Sequence, residues 1–392
     1  MKTIAVIFGG RSAEHDVSII TAHIPIIESL TAMGGFDIWP VYITKEGDWY
    51  SDKAMNDMAF FKQSDYEAIL KKQKKVRLSF DNGLEVIWPG ILDKKVKIDV
   101  VFPAMHGTYG EDGSLQGVLR MAKVPFVGCD MASSAVAMDK AFTKQVLFAE
   151  GVPVVPFVWF TREDFVSKDG ILKEKIEKLR YPLFVKPVHL GSSIGITKVT
   201  GKSRHPGESR DPELENAIEV AFHYDDKVLV EEGVENLIEV TLPIIGNDVL
   251  TLASVERPLN KTEFFDFKDK YLSGGKGSGV NSEYSEVPAK IDEALIKEVQ
   301  KLGKKTYRAL GCSGIARVDF LIESTTKKVF VNEVNTLPGS LYVHNWKKSG
   351  VSGVELVRRL VVLAEERFAQ QQALTHTFSS DILSKVGGPK AY

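Results

Sequence analysis

Cysteine is almost missing from this chain, as are long apolar runs and any excess of charge of one sign. Its 392 residues hold only Cys129 and Cys312, each among apolar neighbours, which argues against a disulfide framework and against a thiolate metal centre. No stretch is long enough to span a bilayer, and the opening run Ile4–Phe8 is too short for the core of a signal peptide. Lys and Arg (50) nearly balance Asp and Glu (52), which leaves nucleic acid and anionic membrane surfaces without an electrostatic footing. The basic stretch Lys71-Lys72-Gln73-Lys74-Lys75 reads as a solvated helix end. The remaining class is a cytoplasmic enzyme or binding protein.

The chain is too long for one ordinary core, so two or three packed lobes are expected. Up to residue 128, the runs Ile4–Phe8, Ile38–Ile43 and Asp99–Pro103 alternate with helical patterns at Ser18–Leu30 and Gly117–Met121, which suggests βαβ units around a mostly parallel sheet. The charged stretch Gly47–Lys97 reads as an elaboration of that lobe. A second region, 129–230, opens with a helix over Ala135–Glu150 after a Ser-Ser cap, then strands at Pro153–Phe160 and Tyr181–Pro187. It carries a polar, turn-rich insertion near 201–212, expected to be mobile. A third region, 231–368, opening on the run Val228–Glu231, holds strands at Ile238–Ile245, Ile315–Ile322 and Val329–Val334 and helices at Ala289–Leu310 and Gly353–Arg367, and 369–392 reads as a frayed tail.

The segments Gly314-Ile315-Ala316-Arg317-Val318-Asp319-Phe320 and Phe330-Val331-Asn332-Glu333-Val334-Asn335 carry the strongest chemical signal. Alternate side chains of a strand share a face, so Arg317 and Asp319 point one way on their strand and, by the same rule, Glu333 and Asn335 share a face on theirs. Side by side, the strands would gather two carboxylates, an amide oxygen and a guanidinium. Such a set suits magnesium with nucleotide phosphates, and it equally suits a salt-bridge cluster on a sheet edge.

The loop Leu190-Gly191-Ser192-Ser193-Ile194-Gly195 could cradle phosphate or could be a plain turn. Lys186 stands in an apolar strand just before it, either paired with an anion or snorkelling to water. The Gly9-Gly10 turn leads to Glu14 but lacks the G-x-G-x-x-G spacing, which argues against a Rossmann oxidoreductase. Glu14 reads either as a helix-dipole partner or as an anchor for a substrate ammonium. His106 follows the strand Val100–Pro103, where open α/β sheets bind ligands, though a turn-stabilising histidine fits as well.

In this order, from Gly9–Ser18 to Asn335–Gly339, the segments resemble the D-alanine-D-alanine ligase family of the ATP-grasp superfamily. The resemblance implies an α/β fold with an N-terminal open parallel lobe and two lobes that close on the nucleotide. By that likeness Lys140, Lys186 and Ser193 contact ATP phosphates, Glu231 marks the adenine hinge, and Glu239 (displaced by one extra residue) meets the ribose. Asp319, Glu333 and Asn335 match ligands of Mg2+, with Mn2+ as a substitute, while Arg317 and the Gly339 backbone match stabilisers of a tetrahedral intermediate. Glu14 resembles the anchor of the first D-alanine, linked to Ser192 and Tyr271; His106, Lys270, Ser340 and Leu341 match the substrate surroundings. The expected partners are D-alanine and ATP, with no nucleic acid and no membrane insertion, and a homodimer is compatible. The implied role is peptidoglycan precursor synthesis. The segment after Gly339 departs from the family by being short, with His344 near the place of a carboxylate-binding serine, and Phe265 and Phe267 stand where tyrosines are common.

Overall fold

The computed structural model describes residues 1–167, 170–201, 211–259 and 285–385. Most of the expected 201–212 insertion lies outside the described residues, as do Lys270, Tyr271, Phe265 and Phe267.

The first strand, β1 (Lys2–Gly9), is buried on both faces from Ile4 to Phe8, as its unbroken apolar run requires of a central parallel strand. It lies parallel to β2 (Phe36–Ile43), beside which β3 (Trp49–Tyr50) runs antiparallel. The charged stretch forms a small antiparallel sheet of β4 (Arg77–Ser79), β5 (Glu85–Trp88) and β6 (Lys94–Lys97), and β7 (Val100–Pro103) then pairs parallel with the other side of β1. The order of the main sheet is β3-β2-β1-β7. The helix expected over Ser18–Leu30 runs from His15 to Met33, with a π-helical segment at Ala22–Ile27 that contains Pro25. Proline lacks the N–H of a regular ladder, so the hydrogen bonding shifts around it.

The next sheet is antiparallel throughout, in the order β10-β9-β11-β8, from β8 (Phe157–Thr161), β9 (Leu183–Pro187), β10 (Thr197–Val199) and β11 (Lys227–Glu232). The run expected to open the third region, β11, thus belongs to this sheet. The last sheet joins β12 (Leu237–Gly246) to β13 (Leu250–Leu252) on one side. A short pair, β14 (Arg257–Pro258) and β15 (Ser285–Glu286), follows. On its other side β12 meets β16 (Gly314–Glu323), which pairs with β17 (Lys328–Asn335), giving the order β13-β12-β16-β17.

One expected helix is corrected: Ala135–Glu150 is two helices, Met131–Met138 and Lys140–Ala149, capped by Asp130 and Asp139. Asp139 accepts from the Phe142 N–H at 2.7 Å and stands in extended conformation, which ends the first helix and starts the second. Ser133 and Ser134, expected as the cap, lie inside the first helix, buried. The final helix, Gly353–Gln372, extends beyond Arg367. No described helix is long and apolar enough to cross a membrane.

Candidate functional site

Lys186 is held away from water on β9, its side chain 12% exposed, by an ion pair with Glu231 on neighbouring β11. The other Glu231 oxygen lies 2.9 Å from the ammonium of Lys144, a residue buried to 1% that sequence reasoning missed. Its available signal was its place one helical turn after Lys140. Burial opposes ionisation of Glu231, but Lys144 and Lys186 override it and hold the carboxyl down at about 2. Burial likewise opposes the charge of Lys186, yet Glu231 raises it above the ordinary lysine value. For Lys140 and Lys144 burial prevails and lowers the pKa. Lys140 donates from Nζ to Leu190 O at 2.5 Å, so it already touches the glycine and serine loop. Glu239 sits half-buried on β12, and its charge and that of Glu333 act on Lys186.

In that loop Ser192 and Ser193 take left-handed backbone angles (φ 54° and 58°). Ser192 Oγ donates to Glu14 Oε1 at 2.5 Å across 178 positions of sequence. Glu14 sits at the N-cap of the helix His15–Thr21 but makes no side-chain cap bond, so its carboxylate is spent on the loop rather than on the helix end. Gly107 makes room for it: a Cβ there would lie 2.6 Å from Ser12 Oγ and 2.9 Å from Glu14 Oε2. Next to Gly107, His106 is buried, with Nε2 at 2.8 Å from Thr21 Oγ1, and burial lowers its pKa. Thr21 Oγ1 also accepts from the Ser340 N–H at 3.0 Å.

On the facing strands, Arg317 donates to both oxygens of Asp319 at 2.7 and 2.6 Å, and Asn335 Nδ2 donates to Asp319 Oδ2 at 3.2 Å. Asp319 stands opposite Glu333, and Arg317 opposite Asn335. A register shift between Asp319 and Phe320 moves the pairing to Val331, which leaves Asn332 as an extra residue. Val331 and Val334 both stay in the core while Glu333 and Asn335 share the polar face. Burial works against the Arg317 charge, but Asp319 raises its pKa well above the ordinary value. All the oxygen donors here are hard, the class that magnesium and manganese take, with no thiolate or imidazole among them.

Gly339 opens a short turn to Tyr342 in which Ser340, Leu341 and Tyr342 have φ of 50°, 50° and 51°. This bend brings the Tyr342 ring to 4.8 Å from the Arg317 guanidinium carbon. His344 is turned to Glu256 (Nε2 to Oε2, 3.0 Å). A second missed residue is Glu111, which accepts from the Gly107 N–H at 2.7 Å and the Leu337 N–H at 3.3 Å. Burial, then the nearby Glu14 charge, pushes its carboxyl up to about 8.

Lysines and a glycine and serine loop at one antiparallel sheet, set against a carboxylate-bearing strand pair of another, form the kind of site an ATP-dependent ligase of the ATP-grasp superfamily uses, and the chain's relatives place it in that class. The profile described as "D-ala D-ala ligase N-terminus" matches residues 3–129, and the one described as "D-ala D-ala ligase C-terminus" matches residues 146–362. A D-alanine--D-alanine ligase of Acetivibrio thermocellus is 36% identical over 387 residues, covering 94% of this chain and 96% of that protein. One from Thermoanaerobacter sp. is 38% identical over 374 residues, covering 93% and 97%. Among solved structures, the D-alanine-D-alanine ligase from Coxiella burnetii superposes with a TM-score of 0.77 at 29% identity, covering 95% and 96% of the chains. VanG D-Ala:D-Ser ligase from Enterococcus faecalis gives 0.75 at 35% identity, covering 93% and 99%. The chain belongs to the D-alanine-D-alanine ligase family.

Proposed function

We propose that this protein joins two D-alanines into D-alanyl-D-alanine at the expense of ATP, in the cytoplasm, for peptidoglycan precursors. The observation that carries the reading is the meeting of Arg317, Asp319, Glu333 and Asn335 on β16 and β17, in electrostatic reach of Lys140 and Lys186.

In this reading Lys140, Lys186, Ser192 and Ser193 bind phosphate oxygens, Glu231 orders the adenine edge, and Glu239 accepts from ribose hydroxyls. Asp319, Glu333 and Asn335 would hold magnesium, which when bound neutralises charge on the transferred phosphoryl group. Glu14 accepts from the ammonium of the first D-alanine. The carboxylate oxygen of that substrate attacks the γ-phosphorus, the bond to ADP breaks, and an acyl phosphate results. The amine of the second D-alanine then attacks the carbonyl carbon. Arg317 and the Gly339 N–H stabilise the oxyanion, and collapse expels phosphate as the amine gives up its proton. His106, Lys270, Ser340 and Leu341 surround the substrates, Tyr271 joins Ser192 at Glu14 on the covering loop, and water must be excluded because an acyl phosphate hydrolyses readily.

A second reading, the same activation with a different acceptor, rests on the short turn after Gly339 and on the likeness to a D-Ala:D-Ser ligase. Phosphate release with ATP, magnesium and D-alanine, with the product weighed by mass spectrometry, tests both. The dipeptide is expected. Turnover with D-serine or a hydroxy acid but not with D-alanine alone would replace the first reading by the second.

A further inference from the structure

The chain enters the glycine and serine loop through Val188, His189 and Leu190, and His189 is gripped there from several sides. Its Nδ1 lies 2.9 Å from Asp225 Oδ1 and its Nε2 3.3 Å from Asp139 Oδ2. Its backbone N–H donates to Asp225 Oδ2 at 2.7 Å. Asp139 is the cap of the helix Lys140–Ala149, and Asp225 ends the helix Pro212–Tyr224. On either side of His189, Lys140 holds the loop: its N–H donates to Val188 O at 3.2 Å and its Nζ to Leu190 O at 2.5 Å.

We propose that His189, held as an imidazolium between Asp139 and Asp225, is a positioning residue. It pins the glycine and serine loop to the start of the helix that carries Lys140, and so sets the loop's hold on the terminal phosphate of ATP. The inference rests on reading Ser192 and Ser193 as that phosphate loop.

Nδ1 is hydrogen-bonded to Asp225, and the Asp139 carboxylate 3.3 Å from Nε2 favours a second proton on the ring. Hydrogen bonds to Asp139 and then Asp225 push its pKa up to about 9, from 6.5. Among the described residues, the charged groups facing it are Asp139, Asp225, Asp226 and, through Asp139, Lys227 at 2.7 Å. Ligand atoms of His189, Asp225 and Asp226 lie within 4.8 Å of one another, a spacing that could also serve a metal. An imidazolium, protonated on both nitrogens, has no ring lone pair left to ligate one. In the native state the ring stays protonated until pH nears about 9, and the clamp is lost as pH rises through that value; the stability it contributes is fully present below the ordinary value of 6.5.

The test is calorimetric binding of Mg-AMP-PNP and Mg-ADP to the full chain without D-alanine, from about pH 7.5 to 10. AMP-PNP carries the terminal phosphate that the loop would hold, and ADP does not. In H189N, AMP-PNP binding should weaken about tenfold or more while ADP weakens less than about threefold. In the wild type the preference for AMP-PNP should fall through about pH 9, stay low and flat in H189N, and persist in H189R, whose charge does not titrate there. A residue that only supports the fold would lower Tm and the number of binding sites without altering the ratio. An unchanged ratio in H189N overturns the positioning role, whereas a wild type that binds neither nucleotide overturns the phosphate-loop reading and the inference with it.

Discussion

Glu231 and Glu111 are both buried carboxyls, yet their surroundings drive them in opposite directions. Glu231 lies between two lysines, so its pKa falls from 4.5 to about 2. Its contribution to stability is fully present above 4.5 and is lost as pH falls toward about 2. Lys144→Met removes one partner of the ionised carboxylate and should lower the urea midpoint most above about pH 6, with the difference from the wild type shrinking as pH falls through 4.5 toward about 2. Glu111 is the reverse case. With a pKa of about 8 in the fold and 4.5 as its ordinary value, the native state binds the extra proton, so stability declines as pH rises between those values. Glu111→Gln, which mimics the neutral acid, should flatten that decline; a urea midpoint with the wild-type slope across this window would contradict it. At the metal-facing strands, Glu333→Gln should cut phosphate release by at least about a hundredfold through lost charge stabilisation, and a near-normal rate would remove Glu333 from the ligand set.

Strands were more legible in the sequence than the exchanges between them. The polar face of β16 follows from simple alternation, Arg317 and Asp319 outward with Val318 and Phe320 inward. In β17 strict alternation would put Val331, Glu333 and Asn335 on one face, and the bulge at Asn332 is what separates them. The spacing of three between Val331 and Val334 was the visible sign of it. Lys144 offered in sequence only its place one turn after Lys140, and Glu111 no comparable sign, because their meaning depends on Glu231 and Leu337 arriving from distant elements. The misread helix at Ala135–Glu150 has a local cause: Asp130 and Asp139 both cap, and a serine pair close to the first cap looked like one. The turn that ends β1 was legible as glycine, and the structure explains why. Gly9 has φ +87°, and a Cβ there would lie 2.1 Å from Ile43 O on β2. Gly9→Ala should therefore cost about 1–2 kcal/mol from the left-handed backbone alone, and more once the clash is counted, and lower Tm accordingly.

At the scale of the whole molecule, the cores do not follow the order of the chain. One apolar cluster joins Ile4, Val6 and Phe8 of β1 to Ile315, Leu337, Trp346 and Leu360 near the other end. The sheet β10-β9-β11-β8 keeps its own cluster around Phe160, Val185, Phe222 and Val230. Contact between that sheet's glycine and serine loop and the first lobe runs through Ser192 and Glu14. If the loop closes on ligand there, Mg-AMP-PNP with D-alanine should raise Tm by mass action, and Ser192→Ala should reduce that rise more than it changes the Tm of the free protein. An equal rise in both proteins would show that the Ser192–Glu14 bond is not part of closure.

The shared cluster also bears on how such a protein can be inherited in pieces. A crossover between two relatives near residue 128 would replace Ile4 and Phe8 while keeping the Trp346 and Leu360 that pack with them, splitting one core between two parents. Recombinants broken there should be selected against even when each parent is sound. The sheet β10-β9-β11-β8, whose apolar cluster is drawn from residues 158–230, has no core divided in this way.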